Sequence, residues 1–452
     1  MSLSSKLKNI HFLSLMGTGG ISVLNFLFTA LLYRSFSVKE IGIWFFFQTF
    51  ITFLDTFRQG FLTTAFIKFY SGESQNRKNE VIGSTWIIAS LITIVFIALN
   101  LPIIFVYKYI SDESLLYFLK FFSINLISTL PIIVSTGIAQ GELKFQRLMY
   151  IRILQVVILI MSLITLNYLE KTDLSSLMMA NISSAVITSL FCIVMGWSGI
   201  MKFFLYSKSC IMDLYNFGKY TVATSISTNL FGITDTFIIN FMLGPSSLAV
   251  FNLGKKLMEV VDIPIRSFVA TALPSLSKAY NENNKLLVIE TMKKYIGIIT
   301  ISLIPIVFVT YLLAEPAMSI IGGGQYKNTK AGETAVNIFK LITMFAFLFP
   351  ADRFMSVTLD AIHKPHVNFF KVIIMLIVNL ISDFLGVYIL GNIYGIVIAT
   401  IFPVLTAIII SNYVIQKEYQ KFSFLDIYRS SFIEIKKYFM TLIDNKIKKR
   451  KV

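Results

Sequence analysis

The sequence predicts an all-α integral membrane protein: twelve transmembrane helices in two six-helix lobes, with both termini in the cytoplasm. Three observations carry this. Hydrophobic residues make up 56% of the 452 residues and charged residues only 14%, against roughly 45–50% and 25% in soluble domains. Mean hydropathy is +0.74. Apolar runs of spanning length, about 20 residues each, recur along the chain, and Lys and Arg alternate from loop to loop.

The runs lie near residues 10–33, 41–66, 81–107, 115–138, 148–168 and 177–197, then 216–243, 248–274, 292–313, 336–359, 367–390 and 393–415. Lys6 and Lys8 precede the first, which lacks a short apolar core with a small-x-small cleavage site. It reads as a span rather than a signal peptide. With the N-terminus inside, cytoplasmic segments hold Lys68, Arg77 and Lys78; Lys144, Arg147 and Arg152; Lys202, Lys208 and Lys219; Lys278 to Lys294; and Lys364 and Lys371. Outside segments are poor in cations, as the positive-inside rule expects. An odd number of spans would spoil the alternation.

Six spans per half leave both halves in one orientation, which implies a pseudo-two-fold axis along the membrane normal. The expected organisation is an N-terminal lobe over residues 1–197, a cytoplasmic connector over 198–215, a C-terminal lobe over 216–416 and a basic amphipathic cytoplasmic tail over 417–452. In the tail, Leu425, Tyr428, Phe432, Ile435, Phe439 and Leu442 recur at helical spacing among lysines. That suits a helix on an anionic membrane surface, so membrane lipids rather than nucleic acid account for the net charge of +16.

The most informative feature is a polar stripe that recurs 207 residues apart. Gln48, Thr52, Asp55 and Gln59 fall onto Lys255, Glu259, Asp262 and Arg266, and Thr18, Ser22, Asn25 and Thr29 onto Ser225, Asn229, Gly232 and Thr236. Steps of three and four keep each set on one helix face. A charge in hydrocarbon costs roughly 2.5–3.5 kcal/mol on insertion scales. Such groups persist where they face water, protein or a substrate path.

Candidate anion-binding residues are Arg58, Arg266, Lys255, Lys256 and Arg353, because Arg in particular clasps phosphate oxygens in two-pronged fashion. Candidate gating or ion-coupling residues, for H⁺ or Na⁺, are Asp55, Asp235, Glu259, Asp262, Asp352 and Asp383, the last with Asn379. Asn25, Gln48, Gln59, Asn229 and Asn252 complete the polar lining. Lys255–Glu259 and Asp262–Arg266 also have the spacing to pair internally and glue helices together. Gly322-Gly323-Gly324-Gln325-Tyr326 lacks the Lys-Ser/Thr of a phosphate loop and reads as a flexible turn.

Cys192 and Cys210, and His11, His363 and His366, lack metal-site spacing. No cofactor and no enzymatic reaction are expected.

Several segments resemble a family. Leu32-Tyr33-Arg34-Ser35-Phe36-Ser37-Val38-Lys39-Glu40-Ile41-Gly42 resembles the junction of the first two spans of polysaccharide-biosynthesis flippases, of the O-antigen type, within the multidrug/oligosaccharidyl-lipid/polysaccharide exporter superfamily. Phe217-Gly218-Lys219-Tyr220, Asp235-Thr236-Phe237-Ile238-Ile239 and Leu243-Gly244-Pro245 are similar to that family's seventh span. Asp360-Ala361-Ile362-His363-Lys364-Pro365 and Gly391-Asn392-Ile393-Tyr394-Gly395-Ile396 resemble later junctions. Ser37 stands where such sequences commonly have Gly.

The resemblance implies alternating access between two lobes in a bacterial inner membrane. The cargo would be an undecaprenyl-pyrophosphate-linked oligosaccharide repeat unit of O-antigen or capsule type, with polysaccharide polymerases as partners. It favours Arg58 and Arg266 for the pyrophosphate. The alternatives are a multidrug cation antiporter of the same superfamily, which predicts an acid-dominated lumen, and a membrane polymerase or ligase of lipid-linked glycans, which predicts a large outside loop.

Overall fold

A computed structural model describes residues 10–70, 73–142, 144–423 and 426–427; at some helical positions, Glu259 and Arg266 among them, it describes the backbone alone. The basic tail expected beyond residue 427 lies outside the described residues. Every element among the described residues is helical. The chain divides into two compact units, the first reaching Ala249 and including Ile320–Lys327, the second formed by Val250–Ser319 and the chain from Asn328.

The first unit contains α1 (Ile10–Ser35), α2 (Val38–Gln59), α3 (Phe66–Tyr70), α4 (Gln75–Asn100), the short α5 (Ile103–Val106), α6 (Glu113–Gly141), α7 (Phe145–Tyr168), α8 (Leu174–Val194) and α9 (Lys208–Ile238). Their starts are set by side-chain caps, which satisfy backbone N–H groups that lack an intrahelical partner. Ser37 and Glu40 form a reciprocal capping box on α2. Asp112 accepts from Leu115 N–H at 2.8 Å on α6, and Ser207 from Cys210 N–H at 3.2 Å on α9. α9 therefore begins eight residues before the expected seventh span, within the expected connector, because Ser207 supplies the cap there. α1 packs on α7, α6 on α8, and α9 on α2 and α4.

Two π-helical stretches were not legible in the sequence. Gly60–Ala65 joins α2 to α3, and Ile239–Leu243 follows α9. π-bulges of this kind occur frequently at functional sites. Gly60 permits a close approach there, since a Cβ on it would lie 2.9 Å from the Val222 Cα of α9. Within the second stretch, Asn240 accepts from Ser114 Oγ at 2.7 Å and donates to Asp112 at 3.3 Å, tying the turn after α9 to the start of α6.

α10 (Pro245–Leu257) runs from the first unit into the second. α11 (Glu259–Asn281), α12 (Lys285–Leu312) and α13 (Ala314–Gly322) follow, then α14 (Lys330–Phe345), α15 (Phe349–Ala361), α16 (Pro365–Leu390), α17 (Tyr394–Ala399) and α18 (Ile401–Glu418). Within the second unit α11 packs on α12 and α15, α15 on α18, and α16 on both α17 and α18. Gly386 and Gly395 let α16 and α17 touch backbone to backbone, because a Cβ on Gly386 would lie 2.4 Å from the Gly395 carbonyl oxygen.

Eight helical segments among the described residues are long and apolar enough to cross a membrane: Gln75–Asn100, Glu113–Gly141, Phe145–Tyr168, Leu174–Val194, Lys285–Leu312, Lys330–Ala361, Pro365–Leu390 and Tyr394–Lys417. They coincide with eight of the twelve expected runs. The other four, the first, second, seventh and eighth, are those that carry the polar stripes. Among the described residues, Gly20–Ser35 and Asn229–Leu243 are the apolar stretches of α1 and of α9 with the turn after it.

The Gly322–Tyr326 loop is fastened rather than a loose turn. Gly323–Gln325 forms a 3-10 turn, Gln325 Nε2 donates to the Phe36 carbonyl at 3.0 Å, and Tyr326 packs edge-on against Tyr33 at 5.3 Å.

Candidate substrate and coupling residues

α2 positions Asp55 and Arg58 one turn apart, and the two close on each other. Arg58 is 0% exposed. Its Nε donates to Asp55 Oδ1 at 3.1 Å, Nη1 to the Leu126 carbonyl at 2.7 Å and Nη2 to Thr129 Oγ1 at 2.8 Å, with a further contact from Nη2 to Asp55. Leu126 and Thr129 belong to α6. A buried guanidinium needs its donors satisfied, and here α6 and Asp55 satisfy them. In this conformation the Arg58 side chain is thus committed to helix packing.

Part of the stripe joins α2 to α9 in the same way. Asn229 Nδ2 donates to Thr56 Oγ1 at 3.1 Å, and Thr236 Oγ1 to Thr49 Oγ1 at 3.5 Å. Asp235 of α9 is buried. Gln48 and Asn25 are half-buried and Gln59 is exposed. The Asn25 carbonyl accepts from Thr29 Oγ1 at 2.7 Å.

The eighth span breaks at Met258, between α10 and α11. Met258 N–H reaches the Lys255 carbonyl at 3.0 Å and Val261 N–H the Met258 carbonyl at 3.0 Å, bonds of the tighter 3-10 type. Lys255 is exposed, with its ammonium 5.3 Å from the Phe251 ring centroid; Asn252, Lys256 and Asp262 are half-buried. The side chains of Glu259 and Arg266 lie outside what the structure describes, so the i,i+4 pairs expected with them carry no geometry here.

α15 places Arg353 at the surface and Asp352 inside. Asp352 pairs with Lys371 of α16, Nζ to Oδ1 at 3.7 Å, and Lys371 also donates to Ser411 Oγ at 3.3 Å and to Ser356 Oγ. Lys371 is 2% exposed. By sequence it counts among the cations of a cytoplasmic segment, and its burial against Asp352 is not legible there. Deeper in α16, Asn379 Nδ2 donates to Asp383 Oδ2 at 2.7 Å, and both residues are buried.

Outside the spans, Glu142 after α6 gathers Lys144 at 2.7 Å, Arg147 at 3.1 Å and the Tyr70 hydroxyl at 3.0 Å. Burial pushes the Glu142 carboxyl up, but the Lys144 and Tyr70 hydrogen bonds and the charges of Lys144 and Arg147 outweigh it and hold it below the usual range.

These features define a multi-pass membrane protein with charged and polar groups on its otherwise apolar helices. The chain matches the polysaccharide biosynthesis protein family over residues 31–331, and it belongs to that family. No curated protein matches the sequence. Among solved structures, the lipid II flippase MurJ in an inward closed conformation is similar with a TM-score of 0.74 at 16% identity, over 95% of this chain and 92% of that one. An inward-facing multidrug resistance MATE family transporter of the MOP superfamily is similar with a TM-score of 0.69 at 14% identity, over 92% and 94%. A MOP superfamily transporter from Pyrococcus furiosus, described as having a binding pocket of reverse polarity that suggests a different function, gives 0.55 at 14% identity, over 91% and 95%. At these identities the likeness defines the fold, which is that of MOP superfamily transporters.

Proposed function

We propose that this protein is a flippase that carries undecaprenyl-pyrophosphate-linked oligosaccharide repeat units from the cytoplasmic to the outer leaflet of a bacterial inner membrane by alternating access. The observation that carries the reading is the match to the polysaccharide biosynthesis family over residues 31–331, on a fold that a lipid II flippase shares. Twelve spans with both termini inside, grouped as residues 1–197 and 216–416 about a connector, are part of the proposal.

The chemistry of the candidate residues supports an anionic cargo. Lys255 and Arg353 are exposed cations on helices of the second unit, and they are the first candidates to meet phosphate oxygens. Lys256 and Arg266 extend that set. Arg58 would join it only if phosphate oxygens replaced Asp55 and the α6 acceptors, which makes Asp55 a gating group. Asp235, Glu259, Asp262, Asp352 and Asp383 are the coupling candidates for H⁺ or Na⁺. A pocket meant for cationic drugs would be dominated by acids, and the reverse polarity noted for the Pyrococcus furiosus transporter illustrates how pocket charge and function go together.

The test is export in a bacterium that lacks its own repeat-unit flippase and makes the matching glycan. Wild type is expected to restore surface polysaccharide and clear accumulated undecaprenyl-linked units. Drug resistance without restored glycan in any matched background would favour the antiporter reading instead.

A further inference from the structure

Within the second unit, the spanning segments Lys330–Ala361, Pro365–Leu390 and Tyr394–Lys417 meet around one buried charge pair. Lys371 of α16 and Asp352 of α15 are 2% and 8% exposed. At 1.5 Å per residue, Lys371 stands roughly 9 Å from the start of α16 and Asp352 roughly 14 Å from the end of α15. An ammonium has three N–H donors, and three oxygens surround this one: Asp352 Oδ1 at 3.7 Å, Ser411 Oγ of α18 at 3.3 Å, and Ser356 Oγ. Carboxylate and hydroxyl oxygens of this kind are what a hard metal cation uses. Here the lysine already takes that place, so a sodium ion would have to push a buried ammonium aside.

A polar route joins the pair to the surface. Asp352, Ser356 and Asp360 recur at steps of four on one face of α15, and Asp360 is exposed. Asn368 Nδ2 donates to Asp360 Oδ1 at 2.7 Å and to the Ser356 carbonyl at 2.8 Å. The charged neighbours of the ammonium are Asp352, Asp360 and Arg353. α18 adds the Ser411 hydroxyl. α11 and α12 pack on α15, and their half-buried titratable groups among the described residues are Asp262, Tyr280, Lys293 and Tyr295. Tyr280 lies 5.1 Å from His363, in the turn between α15 and α16.

We propose that the Asp352–Lys371 pair is the ion-coupling site of this protein, and that the ion is a proton rather than sodium. The pair is neutral while Asp352 is ionised. When a proton from water bonds to the Asp352 carboxylate, the pair carries one net positive charge inside the helices. A buried charge that loses its partner is strongly unfavourable, and an arrangement that brings Lys371 to water relieves it. Proton uptake and opening around α15 and α16 are then linked, each favouring the other. The proposal rests on the transport reading, because a coupling ion needs a cargo.

Hydrogen–deuterium exchange of the full-length protein in phosphatidylcholine nanodiscs, corrected for the intrinsic rate, reads opening of α15 and α16 without any cargo. In wild type, protection there is expected to fall on acidification, by up to about tenfold per pH unit for one linked proton, and to be equal in sodium and potassium chloride. Asp352→Glu and His363→Gln should keep the response. The neutral pair Asp352→Asn with Lys371→Met should lose it, with unfolding midpoints recorded alongside. Protection independent of pH in wild type, a response that survives in the neutral pair or disappears in His363→Gln, or protection by sodium over potassium would each overturn the proposal. Flipping of a glycan-bearing lipid in liposomes reads the cargo separately. Flipping without a pH response removes the proton site alone, and a pH response without flipping leaves the site standing and removes the cargo.

Discussion

The second and eighth spans carry polar stripes in register 207 residues apart, yet use them in opposite ways. In α2 the stripe turns inward: Arg58 is 0% exposed and bonded to Asp55 and α6. In α10 and α11 the helix is interrupted at Met258, and Lys255 keeps its ammonium at the surface. The irregularities differ as well, a loosened π turn after α2 and a tightened turn between α10 and α11. Spacing decides which residues share a face. What that face meets is decided by the neighbouring helices, and for α2 these supply Thr129 and the Leu126 carbonyl to receive its cation.

The comparison predicts unequal costs. Arg58→Ala should destabilise the protein by about 3–5 kcal/mol, because Asp55 is left charged and half-enclosed without its partner. Lys255→Ala should stay within about 0.5 kcal/mol, as exposed substitutions do. Thermal unfolding in detergent micelles measures both, and equal losses would erase the distinction between the two stripes.

Lys371 sharpens the same point inside the second unit. Lys371→Met should cost about 1–3 kcal/mol, since Asp352, Ser356 and Ser411 lose a buried donor. Adding Asp352→Asn should recover part of it, with a coupling of roughly 0.5–3 kcal/mol expected for residues in contact. Strict additivity in a double-mutant cycle would mean that the pair does not interact.

The smallest effect belongs to Glu142. Its carboxyl is held below the usual range, so its contribution is present above the unfolded value near ~4.3 and is lost as pH falls through the lower folded value. The midpoint difference between wild type and Glu142→Gln should therefore be full at neutral pH and vanish on acidification through that window. A difference that grows on acidification would reverse the sign.

Much of the fold was legible because long apolar runs and their separators are local features. The eight strongest spans follow directly from them. The π turns were not legible, and the first lies where Gly60 meets Val222 of another helix, a contact that spacing along one helix does not show. The pairing of Lys371 was not legible for a related reason: its partner Asp352 sits on a different helix, and a cation close to a span end looks the same whether it reaches into water or folds back. Arg58 stands out in the sequence as a cation within an apolar span, but its enclosure by α6 depends on a second helix that spacing does not reveal.

The central claim is that a lipid-linked anionic glycan crosses the membrane through this protein with accessible cations as its first contacts. The most direct measurement is flipping of undecaprenyl-pyrophosphate-linked oligosaccharide by the purified protein in liposomes, for wild type and for the Lys255→Gln, Arg353→Gln double variant, with unfolding midpoints recorded alongside. The account predicts protein-dependent flipping by wild type and at least an about tenfold loss in the variant at unchanged midpoint. Flipping at the wild-type rate by the variant, or none by a folded wild type, would contradict it.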